Sequence, residues 1–181
     1  DDGSWEFRSG DRYANTKDGR RIKLKADGTW VYVGNAPLKT KEQVRTTLVD
    51  IRLRKAEFEI YKKKVFNNVR VKSQTVFYVD VDLSPLAKQN LKISSPDLSK
   101  IQVSDDKDGL YPVLSVTPDE TSIAPDTEQT FVIRAEGTPH AWSSIKVIEI
   151  VLGPGTLGNK EPILFSHKYH DIEKKDVRGF D

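Results

Sequence analysis

From Thr75 to Leu83, Phe77, Val79, Val81 and Leu83 alternate with Tyr78, Asp80 and Asp82. This is the two-residue period of a strand with one buried face, and Ser84-Pro85 ends it. Upstream, Val49, Ile51 and Leu53 share one parity, whereas Phe58 and Ile60 take the other. The switch predicts a bulge or corner between Arg54 and Glu57, because a one-residue slip would otherwise turn half the apolar set to solvent. Shorter alternating runs fit strands at Asn90 to Ile93, Lys100 to Val103, Tyr111 to Val116, Thr130 to Ala135, Ile145 to Leu152 and Ile163 to Tyr169. Proline-, glycine- and aspartate-rich turns separate several of them. No apolar period of helical length survives, so the pattern predicts an all-β, antiparallel sandwich.

A different pattern precedes it. Ile22 and Leu24 alternate with Arg21, Lys23 and Lys25; Asp27-Gly28 follows, and Trp30 and Tyr32 resume the alternation. The run predicts a hairpin with a two-residue turn at Asp27-Gly28. Asp1-Asp2-Gly3-Ser4-Trp5-Glu6-Phe7 aligns with Ala26 to Tyr32, so the chain opens within a first copy of the motif. Isolated hairpins are marginal in water, and such units are expected to stack or dock, with Trp5 and Trp30 as packing residues. The stretch from Lys17 to Val33 resembles D-G-x-x-[IV]-x-L-x-x-D-G-[ST]-W-x-[YF] repeats of uncharacterised exported or lipid-anchored bacterial proteins of the Bacteroidetes type. That resemblance implies an envelope address and carries no activity. Val116-Thr117-Pro118 and the segment from Ile123 to Ile133 resemble part of bacterial immunoglobulin-like domains, which implies an immunoglobulin-like form for the sandwich. The expected organisation is a hairpin repeat motif over 1–34, a linker over 35–46 with a short helical turn around Lys41 to Arg45, the β-sandwich over 47–170, and a frayed polar tail over 171–181.

Composition narrows the classes. The 181 residues include no Cys, which excludes disulfides, thiolate metal sites and a cysteine nucleophile. There is no Met, and the chain opens at Asp1-Asp2-Gly3; the expectation is that the numbering begins after a removed signal segment or inside a longer chain. The longest apolar run, Val147 to Leu152, is far short of the roughly 20 residues of a membrane span. A net charge of +2 argues against a dedicated nucleic-acid binder. The charge is uneven, however. Eight basic residues against Glu57 and Glu59 lie between Arg52 and Lys72, and ten acids against four lysines between Asp80 and Glu128.

Candidate chemistry is sparse. His167, His170 and Asp171 could share an ion only if the strand ends in a turn between the histidines. Asp105-Asp106-Lys107-Asp108-Gly109 has the oxygen density of a calcium loop without its terminal glutamate, and reads as a turn. Gly153 to Lys160 lacks the phosphate-loop pattern and reads as a mobile hairpin loop at a sandwich end, a common recognition surface beside His140 and Trp142. No G-x-S-x-G is present. The reading assigns no catalytic residue, cofactor or metal, and expects a non-catalytic cell-envelope interaction or assembly module. Its partner is another envelope protein, and its address is periplasmic, secreted or outer-membrane-associated. The alternative is a carbohydrate or cell-wall binding module stacking sugars on exposed aromatics. Candidate partner-binding residues are Lys62, Lys63, Lys64, Trp142, Trp30 and Tyr32.

Overall fold

The computed structural model describes residues 12–66, 68–139 and 144–180; the first-copy motif at Asp1 to Phe7, His140 and Trp142 lie outside them. Sixteen strands and two single 3-10 turns form among the described residues, with no α-helix. Strands β1 (Arg12–Asn15), β2 (Arg20–Leu24) and β3 (Trp30–Asn35) form an antiparallel meander. The major sheet contains β4 (Leu38–Lys39), β5 (Gln43–Arg45), β6 (Val49–Val65) and β7 (Asn68–Leu83), continued by β13 (Thr127–Glu136) and β11 (Val113–Thr117). A smaller sheet orders β10 (Leu110–Tyr111), β9 (Ile101–Asp105), β14 (Val147–Leu152) and β15 (Ile163–Lys168), while β8 (Leu91–Ser94) pairs β12 (Glu120–Ile123). The last strand, β16 (Glu173–Val177), runs parallel to β6.

The predicted alternation sets the core. Phe77, Val79 and Val81 of β7 point to one face with Phe131 and Ile133 of β13, and meet Val103, Ile150 and Phe165 of the smaller sheet in a single apolar cluster. Phe58, Phe77, Phe131 and Phe165 are buried; each such side chain removed from water contributes about 1.5–3 kcal/mol. The parity switch is real. Leu53 pairs with Val79 and Lys55 with Tyr78, leaving Arg54 as the extra residue, so that Ile51, Leu53, Ala56 and Phe58 are all buried.

Three expectations change. The turn of the meander spans Lys25 to Thr29 rather than two residues: Gly28 donates its N–H to the Lys25 carbonyl, and Lys25 donates to that of Thr29. Gly28 supplies the left-handed φ of +80° that this wider turn requires. The same bonds recur at Thr16 to Arg20, where Gly19 also has φ +80°. Residues 35–46 are not a linker, because β4 and β5 there extend the major sheet, and Lys41 to Arg45 ends in strand rather than helix. They also tie down the meander: Ala36 donates to the Gly19 carbonyl, Asn35 to that of Thr47, and the Arg45 guanidinium reaches both the Gly19 carbonyl and Asp50. Residues 171–181 are not a frayed tail. Ile172 is buried, Glu173–Val177 pairs with Glu57 to Tyr61, and Phe180 packs edge-on against Tyr61.

Candidate functional site

The longest ladder in the molecule is β6 against β7, and it outruns its neighbours. β13 leaves β7 at Gln74, and β16 leaves β6 at Tyr61. Beyond these points the two strands pair only with each other, Lys62 with Val71, Lys63 with Arg70 and Lys64 with Val69. The result is a projecting two-stranded arm. At its tip Phe66 adopts φ +54° and is 92% exposed. A bulky residue rarely takes this left-handed conformation, and such strain concentrates at functional positions.

Residues directly opposite in the ladder share a face. Val69 and Val71 therefore continue the core face of β7 past the end of the smaller sheet, where they are 61% and 59% exposed. Lys62 and Lys64 stand beside them; Lys63 and Arg70 occupy the reverse face. Lys62 meets Asp176 at 3.1 Å. Among the described residues Lys63, Lys64, Arg70 and Lys72 have no carboxylate within 4 Å, so the arm carries uncompensated positive charge around an apolar strip and an aromatic tip.

The six sequence candidates are not brought together. Lys62, Lys63 and Lys64 sit on the arm, whereas Trp30 and Tyr32 sit in the meander, which docks at Thr47 near the opposite end of β6. That separation is roughly 50 Å of extended strand. Trp30 is 62% exposed, contrary to the expectation of a packed hairpin tryptophan. Tyr32 is held within its own sheet, its hydroxyl donating to Asn35 at 2.9 Å and its ring 5.7 Å from the Arg20 guanidinium. What the sequence reading missed is the amphiphilic arm itself. Its signal was Phe66-Asn67-Asn68 between Lys62 to Val65 and Val69 to Val71, since Asn tolerates positive φ in tight turns.

The remaining polar clusters are largely partnered within the fold, and among the described residues only Asp80 Oδ2, Arg134 Nε and His167 Nδ1 are buried without a hydrogen-bond partner. On the outer face of the major sheet, the Glu57 carboxylate accepts from Lys55 and from the Tyr78 hydroxyl at 2.9 Å. Burial pushes the Glu57 carboxyl up, but those two bonds together with the charges of Lys55 and Lys175 outweigh it and hold it below the usual range. Tyr78 is pushed up to about 12 by burial and by the Glu57 carboxylate. Asp80, 2% exposed, accepts from the Thr130 hydroxyl at 2.7 Å between Arg52 and Arg54, each 3.7 Å away. In the Asp105 to Gly109 turn the Asp105 carboxylate accepts from the Lys107 and Gly109 N–H groups and the Tyr111 hydroxyl, and Asp106 accepts from Lys146. The strand carrying His167 does end at Lys168. His167 faces Glu42 at 3.6 Å, while His170 packs edge-on against Tyr169. Among the described residues no three His, Asp or Glu side chains converge as metal ligands, and no helix is long and apolar enough to cross a membrane. The Gly153 to Lys160 loop is not a free loop, for Thr156, Leu157 and Asn159 are buried within it.

No family model and no curated protein matches the chain. Two solved structures, each named a "putative lipoprotein", are similar to it in form. One, from Bacillus subtilis, has a TM-score of 0.48 at 12% identity over 74% of this chain, which spans only 40% of that longer protein. The other, from Staphylococcus aureus, has a TM-score of 0.45 at 11% identity, covering 87% of this chain and 99% of its own.

Proposed function

We propose that this chain is a non-catalytic interaction module of the cell envelope that engages an acidic protein surface through the β6–β7 arm. The carrying observation is the tip: an aromatic side chain almost wholly in solvent, held at an unfavourable φ, on an arm where, among the described residues, Lys63, Lys64, Arg70 and Lys72 have no carboxylate within 4 Å. Such a tip has the parts of an interface anchor, an aromatic that fills a partner's pocket and charges that steer the approach. The envelope address, periplasmic, secreted or outer-membrane-associated, rests on the repeat resemblance around Lys17 to Val33.

The test places the photo-crosslinking residue p-benzoylphenylalanine at Val69 in cells that make the protein. A protein adduct is expected, lost in Lys62→Glu/Lys63→Glu/Lys64→Glu and in Phe66→Gly. Phe66→Gly also serves as a folding control, because relief of the left-handed strain should raise stability by about 1 kcal/mol while removing the anchor. Adducts only to lipid or glycan, or a protein adduct indifferent to both variants, would overturn the reading. The exposure of Trp30 favours a second reading, sugar binding on the meander. Its signature is binding to cell-wall glycan that falls in Trp30→Ala and ignores the arm variants.

A further inference from the structure

At the end of the sandwich away from the arm, residues from both sheets and from the segments 86–91 and 158–162 line a cleft of about 1030 Å³. Its floor is core: Ile51 and Leu83 from the major sheet and Ile163 from the smaller one, all buried. Higher up stand Leu48 and Leu86, 43% and 40% exposed, so two large apolar side chains that water would otherwise disfavour gather at this one opening. Three lysines, Lys39, Lys88 and Lys160, belong to the lining, and all three are exposed. None has a carboxylate within 4 Å among the described residues, and Glu161 is the one carboxylate of the lining.

The wall is rigid. The Asn159 side-chain amide donates to the carbonyls of Leu152, Gly153 and Glu161, and its oxygen accepts from the Leu157 N–H. Gly158 stands so close to Leu91 that a Cβ there would lie 2.7 Å from its side chain. On the facing side the Ser84 N–H donates to the Leu48 carbonyl, fixing the strand ends that carry Leu48 and Leu83. A cleft whose walls are set before the ligand arrives loses little affinity to ordering.

We propose that this cleft binds a free, single-chain anionic amphiphile of the fatty-acid type, its tail between the sheets and its head group at the lysines. An apolar floor below the surface suits a hydrocarbon tail, and exposed lysines of the same lining, without a carboxylate partner among the described residues, suit a carboxylate or phosphate head. A flat bilayer cannot reach a recessed floor, and a neutral amphiphile leaves the three lysines unused. The site is independent of the arm, so its test and that of the proposed function can fail separately.

Calorimetric titration of the full chain with dodecanoate, octanoate and dodecyl maltoside, each below its micelle concentration, tests it. Saturable binding of one dodecanoate is expected. Octanoate should bind roughly 200-fold more weakly for its four missing methylenes, and dodecyl maltoside roughly 10-fold more weakly for its missing charge. Lys39→Gln/Lys88→Gln/Lys160→Gln should erase the preference for dodecanoate over the maltoside, while Leu48→Glu/Leu86→Glu should abolish both; these five side chains lie at the surface, and a thermal melt confirms folding. Lys62→Glu/Lys63→Glu/Lys64→Glu should bind dodecanoate as the wild type does. Several results would overturn the proposal: no saturable binding, affinity indifferent to chain length, or binding unchanged in both cleft variants. Attachment only to phosphatidylglycerol vesicles, or a dimer that Leu48→Glu/Leu86→Glu dissociates in a protein that takes up no amphiphile, would also overturn it.

Discussion

Asp105 illustrates how a residue suggestive of chemistry is spent on structure. Its buried carboxylate is the acceptor for two turn N–H groups and for the Tyr111 hydroxyl. Burial pushes this carboxyl up, but the Tyr111, Lys107 and Gly109 bonds outweigh burial and hold it below the ordinary value. The folded state is then the weaker proton binder. Its stabilisation is complete above the unfolded value of about 3.9 and is lost as pH falls through the lower folded value. Asp105→Ala should cost about 2 kcal/mol at neutral pH, read as a lower urea midpoint at unchanged slope. The gap between wild type and variant should close on acidification below about pH 4; a gap constant with pH would mean that cavity formation, not charge, dominates. The oxygen density of this loop was legible in the sequence, but the direction of each carboxylate was not, because Tyr111, Lys146 and Val147 lie beyond the local run.

At the scale of elements, the clearest sequence signals belong to strands with a buried face. Thr75 to Leu83 and the parity switch at Arg54 are found where the alternation puts them. Strands held by backbone pairing alone gave no such signal. Glu173–Val177 is almost wholly solvent-facing and needs no apolar period to complete a ladder, so its composition reads as tail. Gln43–Arg45 and Leu38–Lys39 hide for the same reason, and the lysines of the arm carry no period that would have extended β6 past Ile60. β16 nonetheless covers backbone groups of β6 that would otherwise form an open edge. Removal of residues 172–181 should expose Glu57 to Tyr61 for pairing between chains and vacate the Ile172 site. The expected result is a molar mass by light scattering that rises with concentration, under conditions where the full chain keeps a constant mass.

For the whole molecule, the contrast is between a two-layer body and parts that lack a second layer. The arm has one ladder and no covering sheet, so its opening costs far less than global unfolding. Amide hydrogen exchange should be on the order of 100-fold faster at 62–64 and 69–71 than at 76–81; equal protection would show that the arm is braced by a contact with another chain. The cleft, assembled from segments between Val33 and Ile163, could not be read from any local window. The meander was legible as a hairpin around Asp27-Gly28, and the structure adds that its turns at Asp18-Gly19 and Asp27-Gly28 are alike and offset by one strand and one turn, nine residues. That offset quantises the lengths this sheet can adopt during evolution or redesign. Duplicating a single nine-residue unit adds a strand but delivers the chain to the wrong end for β4, whereas duplicating two restores the exit. Homologous meanders should therefore differ in size by steps of about eighteen residues, and single-unit insertions should be rare.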